Sequence, residues 1–251
     1  MKKKILALCL VVALAATAVI GGTLAYFTDT DTEDNIFTVG NIKIDLEETF
    51  EQGSKLMPGS VNRNNVKKEV WVKNTGSNPA YMWIEVLIPD ELDDSNAANN
   101  ALHFNAWDTY LVDGKYITCS TSTAEANGYG TRVAVTEWVD MGVKQDFPRD
   151  DEGNIVIDEN VGMVNYHSWL IYIKNDSAKV SGATTAKLLS QVYMDEGVEQ
   201  CTEHDGCYVL PNGTHYDRGW NLIVNAYGIQ AEGFTTIEDA INAYYGETVI
   251  E

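Results

Sequence analysis

Short segments in which apolar and polar residues alternate recur along most of the chain, and a period of two is that of a β-strand with one face buried. Residues 37–46 (FTVGNIKIDL) set Ile42, Ile44 and Leu46 against Lys43 and Asp45. Residues 66–73 (VKKEVWVK) end at the turn signal Asn74-Thr75-Gly76. Residues 81–88 (YMWIEVLI) are nearly all apolar and stop at Pro89, the pattern of a strand buried on both faces. Further strands are expected over 110–119, 132–141, 163–174, 186–194 and 220–231. Asp113-Gly114, Asn127-Gly128, Glu152-Gly153-Asn154 and Asn212-Gly213 supply turn chemistry. With no helical period between successive strands, the pattern predicts an all-β, antiparallel sandwich or barrel rather than βαβ units.

Helical signal is sparse. Residues 91–106 are polar and rich in Asn, so a turn or a short helix at best is expected there. Near the end, Thr235 and Glu238 have the spacing of a capping box, and Ile237, Ala240, Ile241 and Tyr244 follow at i, i+3, i+4, i+7. One amphipathic helix over about 235–245 is expected to close the chain against the sandwich. No repeat and no Pro/Ser linker is visible, so residues 37–251 read as one β-sandwich domain.

The first 25 residues read as an export signal. Lys2, Lys3 and Lys4 precede an apolar run over 5–20, and small residues follow. The run is shorter than the roughly 20 residues that span a bilayer, which favours a signal peptide over a retained anchor. Thr23 and Ala25 fit the −3 and −1 positions of a signal peptidase site, with Tyr26 the first residue of the mature chain. Removal takes three lysines and no acids, leaving 14 bases against 37 acids, a net charge of −23. Such acidity argues against a nucleic-acid partner, which needs a basic footprint. Cys119, Cys201 and Cys207 remain after cleavage. Cys201 and Cys207 are spaced to close a small disulfide loop in an oxidising exterior. A metal reading would join them to His204 and His215, at a spacing that matches no common zinc module.

Candidate chemistry is otherwise thin. The chain has no nucleophile elbow, no phosphate-binding glycine loop and no His-Glu-x-x-His pair. His167 lies inside an expected strand and reads as a satisfied strand histidine rather than a ligand. Asp29, Asp31, Glu33 and Asp34 resemble the start of a calcium loop, but Asp34 stands where glycine is required and Gly40 where glutamate is. Weak calcium binding is the most this allows; no cofactor, catalytic residue or metal site is assigned. The 13 Tyr and 6 Trp are as well suited to a sandwich core as to a carbohydrate platform.

The stretch Gly21-Gly22-Thr23-Leu24-Ala25-Tyr26-Phe27-Thr28-Asp29, followed by Phe37-Thr38-Val39-Gly40-Asn41-Ile42, resembles the TasA/camelysin family of secreted Gram-positive proteins. Leu56-Met57-Pro58-Gly59, Val70-Trp71-Val72-Lys73-Asn74-Thr75-Gly76 and Ala226-Tyr227-Gly228-Ile229-Gln230-Ala231-Glu232-Gly233-Phe234 extend the likeness, while roughly 90–160 matches nothing and reads as loop insertions. The resemblance implies a jelly-roll-like sandwich, a dedicated signal peptidase acting at Thr23, Ala25 and Tyr26, and a place in the extracellular or biofilm matrix or at the cell surface. It also implies a fibre in which the freed N-terminal arm, residues 26–36, adds as a strand to the next subunit. The arm carries Thr and two aromatics without Pro or Gly, so it can extend and pair. Tyr26, Phe27, Thr28 and Asp29, with Phe37 and Ile42 on the strand behind them, are the expected assembly residues. Self, head to tail, is the expected partner, with other matrix or wall components beside it. Two rivals stand beside this reading: a camelysin-like metallo-endopeptidase, which would need zinc ligands gathered from distant positions, and a monomeric surface or carbohydrate-binding protein.

Overall fold

The computed structural model describes residues 28–31, 42–50, 56, 58, 65–93, 99–147, 155, 162–202, 207–217 and 222–250. In chain order its first strands are β1 (Thr28–Asp31), β2 (Ile44–Phe50), β3 (Asn65–Asn74), β4 (Ala80–Pro89), β5 (Leu102–Asn105), β6 (Thr109–Val112) and β7 (Lys115–Thr118). Helix α1 (Thr121–Ala126) precedes β8 (Arg132–Ala134), β9 (Thr136–Asp146), β10 (Val164–Ile173) and β11 (Leu189–Met194). The short strands β12 (Glu199–Gln200), β13 (Tyr208–Val209) and β14 (His215–Tyr216) lead to β15 (Ile223–Gln230) and helix α2 (Ile237–Tyr245).

Two antiparallel sheets face each other, as an all-β sandwich requires. One has the order β1-β15-β4-β10-β9, the other β2-β3-β11-β5. Between them lies a core that includes Ile44, Val70, Val72, Met82, Ile84, Val86, Ile171, Leu189 and Ala226. The outer face of the first sheet is covered as well. There Tyr81, Trp83, Leu170, Tyr172 and Ile229 pack against Ile237, Ala240 and Ile241 of α2. Cover on both sides explains why β4 is buried at every position and why its sequence lacks alternation.

Several elements differ from the sequence expectation in ways that have simple causes. The expected strand over 110–119 is a hairpin, because Asp113 and Gly114 both take positive φ (49° and 76°) and turn β6 into β7. Residues 91–106, expected to form a turn or short helix, contain β5, which completes the second sheet by pairing with β11 from Gln191↔Asn105 to Met194↔Leu102. Strand β9 likewise completes the first sheet, so the stretch 90–160 is not all insertion. The part that is inserted, β6, β7, β8 and α1, has its own small core of Tyr110, Cys119 and Ala124. Helix α2 starts one residue later than its expected capping box. Thr236 Oγ1 accepts from the Asp239 N–H at 3.1 Å, while the Glu238 carboxylate accepts from the Asn175 N–H at 2.8 Å.

Gly228, on β15, faces the second sheet at closest approach. A Cβ there would lie 3.0 Å from Ile44 Cγ2 and 3.6 Å from Met82 Cγ. Gly228→Ala is expected to lower stability by about 1–3 kcal/mol through overpacking, read as a lower urea midpoint at unchanged slope. An unchanged midpoint would mean that the sheets have slack at Ile44.

Candidate functional site

Strand β15 offers one side of its backbone to β4, from Ile223↔Leu87 to Gln230↔Ala80. Its other side receives the N-terminal arm as β1, antiparallel, with Thr28↔Ile229, Asp29↔Gly228, Thr30↔Tyr227 and Asp31↔Ala226. Without β1, β15 would be the edge of the sheet, with a row of unpaired N–H and C=O groups. The acceptor is held from both faces. Val224 and Ala226 belong to the inter-sheet core, and Tyr227 and Ile229 pack in the layer under α2. Ile42, immediately before β2, is buried in the inter-sheet core.

A buried polar network fixes β15 to the sheet behind it. Glu85, in the middle of β4, is 3% exposed. Its carboxylate accepts from Ser168 Oγ at 2.6 Å and from Tyr227 Oη at 2.7 Å, and it pairs with Lys144 Nζ. Burial pushes the Glu85 carboxyl up, but the hydrogen bonds from Lys144, Ser168 and Tyr227 outweigh it, so the pKa lies below the ordinary value. Burial, and then the Glu85 carboxylate, raise the Tyr227 phenol. The Tyr227 ring stacks on Trp83 with centroids 6.1 Å apart and meets Tyr244 of α2 edge-on at 5.5 Å. The acceptor strand is therefore tied to β4, β10, β9 and α2 through one side chain.

A second cluster lies toward the other end of the sheet. His167 sits between two carboxylates: Nδ1 is 2.8 Å from Asp93 Oδ2 and Nε2 is 2.8 Å from Asp140 Oδ1. Burial disfavours the imidazolium, yet Asp140 and Asp93 together raise its pKa. Asp93, though it accepts from Trp169 Nε1 at 2.5 Å, is raised because its own burial is the larger effect. With both ring nitrogens turned to carboxylates, His167 has no lone pair to offer a metal. His103 Nε2 faces Asp195 at 3.1 Å. Among the described residues no group of three or more His, Cys, Asp or Glu is arranged to hold a metal ion.

Of the positions singled out in the sequence, Thr28 and Asp29 open β1 and pair with Ile229 and Gly228. The cleavage positions Thr23, Ala25 and Tyr26 lie outside the described residues, as do Phe27, Phe37, Glu33, Asp34 and His204. Cys201 and Cys207 are bonded, with Cα atoms 5.4 Å apart, beside the paired strands β12 and β13. Cys119 is a buried free thiol whose pKa burial raises. Among the described residues no helix is long and apolar enough to cross a membrane. The residues that hold the acceptor, Glu85, Lys144, Ser168 and Tyr227, were not legible in the sequence. A glutamate inside an apolar strand was the signal that one of them needed a partner.

The model of the camelysin metallo-endopeptidase family matches residues 1–104. The match takes in the junction, the arm and β2 to β4, while the acceptor β15 lies beyond it. No curated protein and no solved structure matches the chain.

Because the folded pKa of Glu85 is depressed, its stabilisation is present above the ordinary value of 4.5 and is lost as pH falls through the folded value. Glu85→Gln is expected to cost about 2 kcal/mol at neutral pH. The gap to wild type, measured by urea unfolding, should narrow as pH falls below about 4.5. A gap independent of pH would show that the charge of Glu85 plays no part.

Proposed function

We propose that this chain, whose residues 1–104 match the camelysin family model and whose junction resembles the TasA/camelysin family, is an exported structural subunit of the extracellular matrix. In this reading it assembles head to tail by donating its N-terminal arm to the β15 edge of a neighbour. The observation that supports it most is the pairing of Thr28–Asp31 along β15. An edge that takes this backbone within one chain offers the same hydrogen bonds to the arm of another. Such a contact leaves one free arm and one free edge at the two ends, so it grows a filament.

Thr28–Asp31 is joined to β2, which starts at Ile44, by the twelve residues 32–43. A tether this short gives the chain's own arm an effective concentration on the millimolar scale. Docking at home is therefore the resting state, and exchange between subunits needs crowding or tethering. A charge of −20 for the full chain, and more after signal removal, adds repulsion between subunits. Low pH or divalent cations relieve it. The rival endopeptidase reading requires zinc in near-equal amount to protein; metal analysis of the purified chain separates the two.

Negative-stain electron microscopy of residues 26–251 beside a form starting at Phe37 tests the proposal, at neutral pH, near pH 5 and with millimolar calcium. Filaments are expected from the longer form alone, most readily at low pH or with calcium. Monomers from both forms in every condition would exclude assembly through this arm.

A further inference from the structure

At the side of the sandwich away from β1, the edge strands β9 and β5 leave a pocket of about 160 Å³ lined by Asp93, Asn100, Leu102, His103, Phe104, Trp138 and Trp169. Trp138 pairs across the sheet with Ile171, and so shares its face, turned toward the second sheet. Trp169 packs against the same core. Phe104 meets both indoles edge-on, at 6.5 Å and 80° to Trp138 and at 6.0 Å and 67° to Trp169. Three aromatic rings thus wall the pocket, and Trp138, 52% exposed, stands at its mouth.

The polar part of the pocket is rich in acceptors. Asp93 is 3% exposed; its Oδ1 accepts from Asn100 Nδ2 at 2.6 Å and its Oδ2 from Trp169 Nε1. Asp93 and Asp140 share His167, so this cluster keeps a negative charge even when His167 is protonated. Among the described residues, neither lysine nor arginine lines the pocket. Asn100 Oδ1, beside it, is buried without a hydrogen-bond partner among the described residues. Ring faces and carboxylates both attract cations. The volume matches that of an engineered cavity of about 150 Å³ that takes benzene, which suits a compact head group and is small for a hexose with its hydroxyls.

We propose that this pocket binds an alkylammonium head group, seated among Trp138, Trp169 and Phe104 with Asp93 as its counter-charge. The same head group is available from a free quaternary amine or from a lysine side chain on another protein. The site is independent of the arm and of assembly, and the two stand or fall separately.

Tryptophan fluorescence and calorimetry on the chain from Tyr26 onward provide the test. Choline and Nα-acetyl-lysine amide, which keeps its ε-ammonium, are the cationic probes, 3,3-dimethylbutanol is the neutral probe of choline's shape, and N-acetylglucosamine is the sugar. Saturable binding of a cation is expected, with the neutral probe about tenfold weaker or worse. Trp138→Ala, at a half-exposed position, should weaken the cation by a similar factor, and Trp138→Phe should restore part of it. Tighter binding of choline would point to a free amine as the source, and tighter binding of the lysine amide to a protein side chain. Equal binding of 3,3-dimethylbutanol, binding of the sugar alone, or no saturable response to either cation would each overturn the proposal.

Discussion

Strand β4 is buried at all ten of its positions, and the neighbouring elements follow from covering it. A strand with no solvent face needs hydrogen-bonded neighbours on both sides and a packed layer above and below. Strands β15 and β10 supply the neighbours, the second sheet covers one face and α2 the other. The same burial makes Glu85 costly unless it is partnered. Its bonds to Ser168, Tyr227 and Lys144 therefore fall on the strands either side and on β9 beyond them. A single buried carboxylate thus couples the covered strand to the one that carries the sheet's edge.

The two edges of this sheet are built differently. At β9 the pairing with β10 is interrupted by a register shift between His167 and Trp169, and Gly142 sits there at φ 73°. Charged Glu137, Asp140 and Lys144 lie along the same strand. Bulges and charges are the usual means by which an edge is made unattractive to another strand. At β15 the acceptor region consists of Ala226, Tyr227, Gly228 and Ile229, without a charge, and the arm lies on it. One edge guarded and one edge matched to the chain's own arm would give a growing filament a direction.

How much of this was legible in the sequence depended on how local the cause was. The apolar run of β4, the alternation of β3 and the turn at Asn74 were visible because each depends on nearby residues. Asn74 holds that turn by accepting from the Gly76 N–H at 2.9 Å and donating to the Asn78 carbonyl at 2.8 Å. Strand β5 was hidden, since its four residues are short, sit after an Asn-rich stretch and become a strand through pairing with β11, some ninety positions on. Thr235 and Thr236 both offer a capping oxygen, and it is Thr236 that caps α2 while Thr235 Oγ1 donates to the Asp239 carboxylate. The aromatic pocket brings together Phe104, Trp138 and Trp169 from three strands, a juxtaposition that no periodicity encodes. The arm was visible as a strand able to pair, whereas its place on β15 depends on contacts nearly two hundred residues apart.

The central claim is that the contact seen within one chain is made between chains in the assembled state. Solid-state NMR on filaments grown from an equal mixture of chains labelled only with ¹⁵N and chains labelled only with ¹³C tests it directly. The account predicts nitrogen–carbon transfer between Thr28–Asp31 and the stretch 226–229, which in such a mixture arises only between different chains. Filaments in which that transfer appears solely when both labels are on the same chain would place the arm at home in the fibre and contradict the account.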